Sequence, residues 1–344
     1  MRLAAFVAVG AMALAACGNT DDAGSTASPS KGGLAVGLAY DIGGRGDKSF
    51  NDSAAAGLDK AKKDLGATSD EVSPNQAGTD RADKLKGLVD SKKNPVVAVG
   101  FKYADDLKKV AAANPGTNFA IVDDGSLQAK NVANILFAEE QGSYLVGVAA
   151  ALKSKAKHVG FVGGVQSPLI EKFQAGFQAG VKSVDPAIKV DVQYLSAPPD
   201  FSGFAAPAKG KVAAKGMIDN GADVVYHAAG GSGSGVFDAV VEARAAGKDG
   251  TWAIGVDQDQ YLTANDSQKK VILTSMIKKV DVGVFDFLKK FKDGEKPSGP
   301  QVNDLKSGGV DYATSGGYVD DIKDKIEAAK KDIIDGKVTV PAKP

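Results

Sequence analysis

From residue 34 onward the chain alternates short unbroken apolar runs with longer stretches in which apolar side chains recur every third or fourth position. Runs such as Val96-Val97-Ala98-Val99 and Phe119-Ala120-Ile121-Val122 are too continuous for a half-solvated strand and suit strands covered on both faces. Strands are expected over 34–40, 95–100, 119–122, 132–137, 158–162, 190–195, 223–227, 252–256 and 271–275. The periodic stretches 53–65, 104–113, 142–154, 170–184, 212–220, 235–246 and 280–291 read as helices, and 318–334 closes the chain as another. Strand alternating with helix predicts βαβ units on parallel sheets. So many buried strands overfill one sheet, and two consecutive α/β lobes account for them better. The pattern restarts at His158-Val159-Gly160-Phe161-Val162, which puts the first lobe over 34–150 and the second over 151–275. A segment near 276–300 is expected to return to the first lobe, and one near 301–340 to the second.

The apolar run from Leu3 to Ala16 is shorter than the roughly 20 residues a membrane-spanning helix needs, and fits the core of an export signal. It ends Leu14-Ala15-Ala16-Cys17-Gly18, which resembles the bacterial lipobox. The expectation is a lipoprotein signal peptide over 1–16, lipid on Cys17, and a flexible tether of small and polar residues over 17–33. Such a chain would sit on the extracytoplasmic face of the cell membrane, held by lipid alone. Its charge fits that reading, since 42 Lys+Arg balance 42 Asp+Glu and leave no basic surface for nucleic acid. Two His and one Cys cannot supply a His- or Cys-rich zinc centre, and a lone Cys forms no internal disulfide.

Ligands of parallel α/β sheets collect beyond the carboxyl ends of the strands. Four polar clusters fall there: Tyr40-Asp41, Asp123-Asp124, His227 through Gly231, and Asp257-Gln258-Asp259-Gln260. Two belong to each lobe, so they describe a cleft between lobes. Local sequence also allows blander roles. Asn51 or Asp52 could cap the following helix, Asp123 could serve a turn, Tyr40 could pack in the core, and Lys278-Lys279 could be a solvated pair. Gly231, Gly233 and Gly235 miss the dinucleotide-binding spacing. A nucleoside hydrolase could be built only from Asp123, Asp257 and His227; with no G-x-S-x-G elbow, an enzyme is not expected.

The segment Asp41-Ile42-Gly43-Gly44-Arg45-Gly46-Asp47-Lys48-Ser49-Phe50-Asn51-Asp52 resembles the opening signature of the basic membrane protein family, the purine nucleoside receptor lipoproteins of bacterial transporters. The resemblance continues in order through Phe137-Ala138-Glu139-Glu140-Gln141-Gly142, Phe173-Gln174-Ala175-Gly176-Phe177, Tyr226-His227-Ala228-Ala229-Gly230-Gly231, Gly255-Val256-Asp257-Gln258 and Thr274-Ser275-Met276-Ile277-Lys278. It implies a type I periplasmic-binding-protein fold, two doubly wound α/β lobes with a ligand cleft between them, delivering ligand to an ABC importer through its permease subunits. It implies no cofactor, and a monomer is the default. It sets Tyr40 against one face of a nucleobase, Asn51 and Asp123 on the base edge, and Asp257 with Lys278 around the ribose hydroxyls. Asp41 lies beside this group, a second ring is expected at Tyr226 or His227, and Gly231 would bring backbone close to the ligand. A ligand-sensing lipoprotein, or a binder of another ring compound such as a flavin, is the alternative.

Overall fold

The computed structural model describes residues 33–344; the expected signal peptide, tether and Cys17 lie outside the described residues. Among the described residues, twelve strands form two six-stranded sheets. They are β1 (Ala35–Ala39), β2 (Thr68–Val72), β3 (Val96–Val99), β4 (Phe119–Val122), β5 (Val132–Phe137), β6 (His158–Val165), β7 (Lys189–Ser196), β8 (Val224–Ala228), β9 (Trp252–Asp257), β10 (Ile272–Lys278), β11 (Gly299–Asn303) and β12 (Val310–Tyr312). The first lobe has the order β11-β5-β4-β3-β1-β2, parallel throughout. The second has the order β12-β10-β9-β8-β6-β7, with only the edge pair β10–β12 antiparallel. Every residue of β3 and β4 is buried, which is why those strands read as unbroken apolar runs.

The chain crosses between the lobes three times: after β5, after β10, and between β11 and β12. The helix Glu139–Lys153 packs on Pro168–Val184 in the second lobe. Its contact is tight because a Cβ at Gly176 or Gly180 would overlap the carbonyls of Glu140 and Tyr144. The first crossing therefore lies at Ala138, ahead of the expected boundary at 150. The helix Val280–Lys292 packs on Phe50–Leu65 of the first lobe, close enough that a Cβ at Gly57 would overlap the Asp281 carbonyl. β11 pairs with β5 in the same lobe, and β12 returns to the second. Glu139 and Lys278, at two of the crossings, are thereby brought between the lobes.

Candidate functional site

Between the carboxyl ends of the two sheets lies a narrow slot. Asp41, Phe50, Asn51, Phe101 and Asp123 wall it from the first lobe; Phe173, Phe204, Gly230 and Asp257 wall it from the second. The loop from Asp41 to Ser49 is organised by Asp47, whose carboxylate accepts the N–H groups of Ser49, Asn51 and Asp52 at 2.9–3.1 Å. Asp47 thus caps the helix Phe50–Leu65, and Asn51 is left free of that duty. Asn51 instead takes the Asp41 N–H on Oδ1 at 2.9 Å and reaches the Ile42 carbonyl at 3.4 Å, which aims the rest of its amide at the slot. Burial lifts Asp47 to about 6 against these donors. Asp41 is held by Arg81 at 2.9 Å, but burial still raises its carboxyl above the ordinary range.

Lys278 is the electrostatic centre. It is 2 % exposed, donates to Asp123 Oδ2 at 2.6 Å, and lies 3.9 Å from Glu139 and 4.0 Å from Asp257. The rings of Phe50, Phe137 and Phe173 surround the same ammonium at 4.7, 5.6 and 5.4 Å. Burial alone would lower its pKa; Asp123, Asp257 and Glu139 together outweigh burial and raise it. Lys278 therefore remains an ammonium and offsets the negative charge of the carboxylates buried around it. Glu139, which also meets Lys172 at 3.1 Å, is pushed by burial to about 7. Asp257 is raised by burial and drawn back by Lys278 and the Ser49 hydroxyl, which donates to it across the cleft. The second oxygen of Asp123, Oδ1, is buried and has no hydrogen-bond partner among the described residues. It is an unpartnered acceptor on a residue that lines the slot.

The lobes are closed on each other. Besides the Ser49–Asp257 bond, Gln258 Nε2 donates to Ser49 O and Gln260 Nε2 to Lys48 O, both at 2.9 Å. Elsewhere on the rim, the second-lobe ring of Phe201 lies under the Lys102 ammonium at 3.8 Å and meets Phe101 edge-on at 6.2 Å.

Of the residues expected from sequence, Asp41, Asn51, Asp123 and Asp257 come together in the slot, and Lys278 stands behind two of them. The expected rings do not. Tyr40 is 3 % exposed in the first-lobe core, its hydroxyl shared by Glu71 and Arg45. Just past the end of β1, Tyr40 turns into the core while Asp41 lines the slot. Tyr226 is enclosed between Phe161 and Phe177 with its hydroxyl on Ser143. His227 is buried against Phe237 beneath Gly233, and burial holds its imidazole down to about 3. Gly231 borders an adjoining cavity, and Gly230 takes the place beside the slot. The aromatic faces are those of Phe50, Phe101, Phe173 and Phe204. Phe50 and Phe173 stand inside the motifs quoted above, and the pairing of Phe50 with Asn51 was the available signal. The turn role falls to Asp124, which accepts from Ser126 and Leu127.

Two α/β lobes, three crossings and a slot walled from both sides define a solute-binding protein of the type I periplasmic kind. A solved solute-binding protein of an ABC transporter from Aeropyrum pernix superposes with a TM-score of 0.78 at 28% identity, over 90% of this chain and 94% of that one. The family model for ABC transporter substrate-binding proteins of the PnrA-like type, Bmp, matches residues 35–344. The chain belongs to that family, whose members are transporter binding components and not enzymes. A Lactococcus lactis relative described as the ABC transporter nucleoside-binding protein BmpA is 38% identical over 98% of this chain and 99% of its own length. An uncharacterized lipoprotein of Pyrococcus abyssi is 33% identical over 86% of this chain and 72% of its own length. No helix among the described residues is long and apolar enough to cross a membrane.

Proposed function

We propose that this protein captures a nucleoside, with a preference for purines, and hands it to an ABC importer while tethered to the outer face of the membrane by lipid on Cys17. The observation that carries the ligand class is the combination of aromatic walls from both lobes with two buried carboxylates, Asp123 and Asp257, bordering the same slot. A flat base suits the Phe walls, and base-on-ring stacking contributes about 1–3 kcal/mol with little regard to which base is present. Selection then falls to the edge. Asp123 Oδ1 accepts only, while the Asn51 amide donates, so the pair calls for a ring with an N–H beside an acceptor, as in inosine or guanosine. Asp257 accepts from vicinal ribose hydroxyls, and Lys278 offsets its charge. The nucleoside-binding description of the Lactococcus relative supports the ligand class. The lipoprotein description of the Pyrococcus relative supports the anchor.

The test is a thermal-shift screen of the protein against nucleosides, free bases, ribose, riboflavin and nucleotides. A ligand at 100 times its Kd adds about 2.7 kcal/mol to the folded state. Stabilisation by inosine or guanosine, with ribose and free base inert, is the expected pattern. Riboflavin acting alone, or no shift with any nucleoside, overturns the ligand assignment.

A further inference from the structure

We infer that Gln258 and Gln260 are positioning residues that set affinity for every ligand of the cleft without contacting any of them. Neither side chain borders the slot. Both follow Asp257 on the second lobe, and both reach across to consecutive carbonyls of the first. Gln258 Nε2 donates to Ser49 O and Gln260 Nε2 to Lys48 O, each at 2.9 Å. These carbonyls immediately precede Phe50 and Asn51, which carry a wall and an edge donor of the slot. The two amides therefore hold the start of the helix Phe50–Leu65 against the second lobe.

Gln260 is built for this. It is 4 % exposed, its Oε1 accepts the Val256 N–H at 2.9 Å, and its own N–H donates to Ser275 Oγ at 3.2 Å. With the oxygen engaged at home, the amide can present only its NH₂ to the partner lobe. Gln258 is half-buried and makes its bond from the same turn. Both bonds join residues more than 200 positions apart, from different lobes, so they exist only when the cleft is shut. In an open cleft the same groups would return to water.

A bond present in the closed state alone shifts the open–closed balance whatever the ligand. Apparent affinity scales with the fraction of protein in the binding-competent state. Losing one neutral hydrogen bond from that state weakens binding by about 2- to 10-fold. The factor is common to all ligands, which separates these residues from Asn51 and Asp123, whose loss alters the preference among bases.

The inference uses nucleosides as probes and so rests on the proposed ligand class, but one arm of its test needs no ligand. Gln258→Ala removes one donor. Gln260→Glu keeps the oxygen that takes the Val256 N–H and turns the donor into an acceptor facing the Lys48 carbonyl. Dissociation constants for inosine, guanosine and adenosine are measured by calorimetry, with release rates by stopped flow. The radius of gyration of the ligand-free protein is measured by small-angle scattering. Expected are a rise in all three constants by one shared factor of about 2- to 10-fold, faster release, and a larger ligand-free radius of gyration. Unchanged constants in both variants, or factors that differ among the nucleosides, overturn it. If no nucleoside binds the wild-type protein, the ligand assignment fails by itself. An unchanged ligand-free radius in both variants then overturns the positioning role.

Discussion

Asp123 and Asp257 share one backbone conformation. Each has φ of 66°, Asp123 just after β4 and Asp257 at the end of β9, so corresponding strands of the two lobes end in the same way. A left-handed residue other than glycine costs about 1–2 kcal/mol, and Asp and Asn are the side chains that take it most readily. The turn directs both carboxylates into the cleft. Asp257→Asn preserves that geometry while removing the charge, so the variant is expected to fold and to bind nucleosides about 10- to 100-fold more weakly. Calorimetry on the folded variant checks this; near-wild-type affinity contradicts the ribose assignment. These carboxylates were legible in the sequence because a polar residue that ends an unbroken apolar run marks a strand terminus. The rings were not. Phe101 comes from the first lobe and Phe173 and Phe204 from separate segments of the second, so only the tertiary fold brings them to one slot.

At the scale of elements, the buried parallel strands and the edge strand β7 were readable, while the edge strands β2, β11 and β12 were not. β2 is Thr68-Ser69-Asp70-Glu71-Val72, polar and partly exposed, and β11 opens with Gly299-Pro300. Edge strands lack a neighbour on one side, so nothing requires them to be apolar. The connection from Ala197 to Ala206 was equally silent, yet it is firmly built. Ser232 Oγ donates to Gly203 O and accepts the Ala206 N–H, both at 2.7 Å, while Gly203 lies against the Gly164 carbonyl. Phe201 is therefore held ready on the second lobe to meet Lys102 and Phe101 when the cleft shuts. An exposed cation–π contact is worth about 0.5–1 kcal/mol, so Phe201→Ala is expected to speed ligand release about 2- to 5-fold and leave association unchanged. Stopped-flow release from Phe201→Ala, Lys102→Met and the double variant tests the pairing. Strictly additive effects would show that the two side chains do not act together.

Over the whole molecule, the two-lobe division was visible in the number of buried strands. The crossing at Ala138 was not, because Glu139–Lys153 is apolar almost all round and carries no mark of the lobe it joins. Folding buries titratable groups in and between the lobes, and their effects on stability oppose one another. Burial lifts Glu139 from 4.5 to about 7 and Asp47 from 3.8 to about 6. The folded protein thus keeps protons that the unfolded chain has lost in those windows, and their contribution to stability is lost as pH rises through them. His227 works the other way. Burial holds it near 3 against 6.5, so the unfolded chain gains a proton below 6.5 that the folded protein refuses, and stability is lost as pH falls. His227→Leu removes only this last effect. Urea unfolding of both proteins at pH 7, 6 and 5 should show the variant gaining on the wild type as pH falls below 6.5, by up to about 1.4 kcal/mol per pH unit. A difference that stays constant over that range would mean that the imidazole takes up its proton in the folded protein at the same pH as in the unfolded chain. Burial of His227 beneath the start of the helix Gly233–Ala245 would then not be what sets its charge.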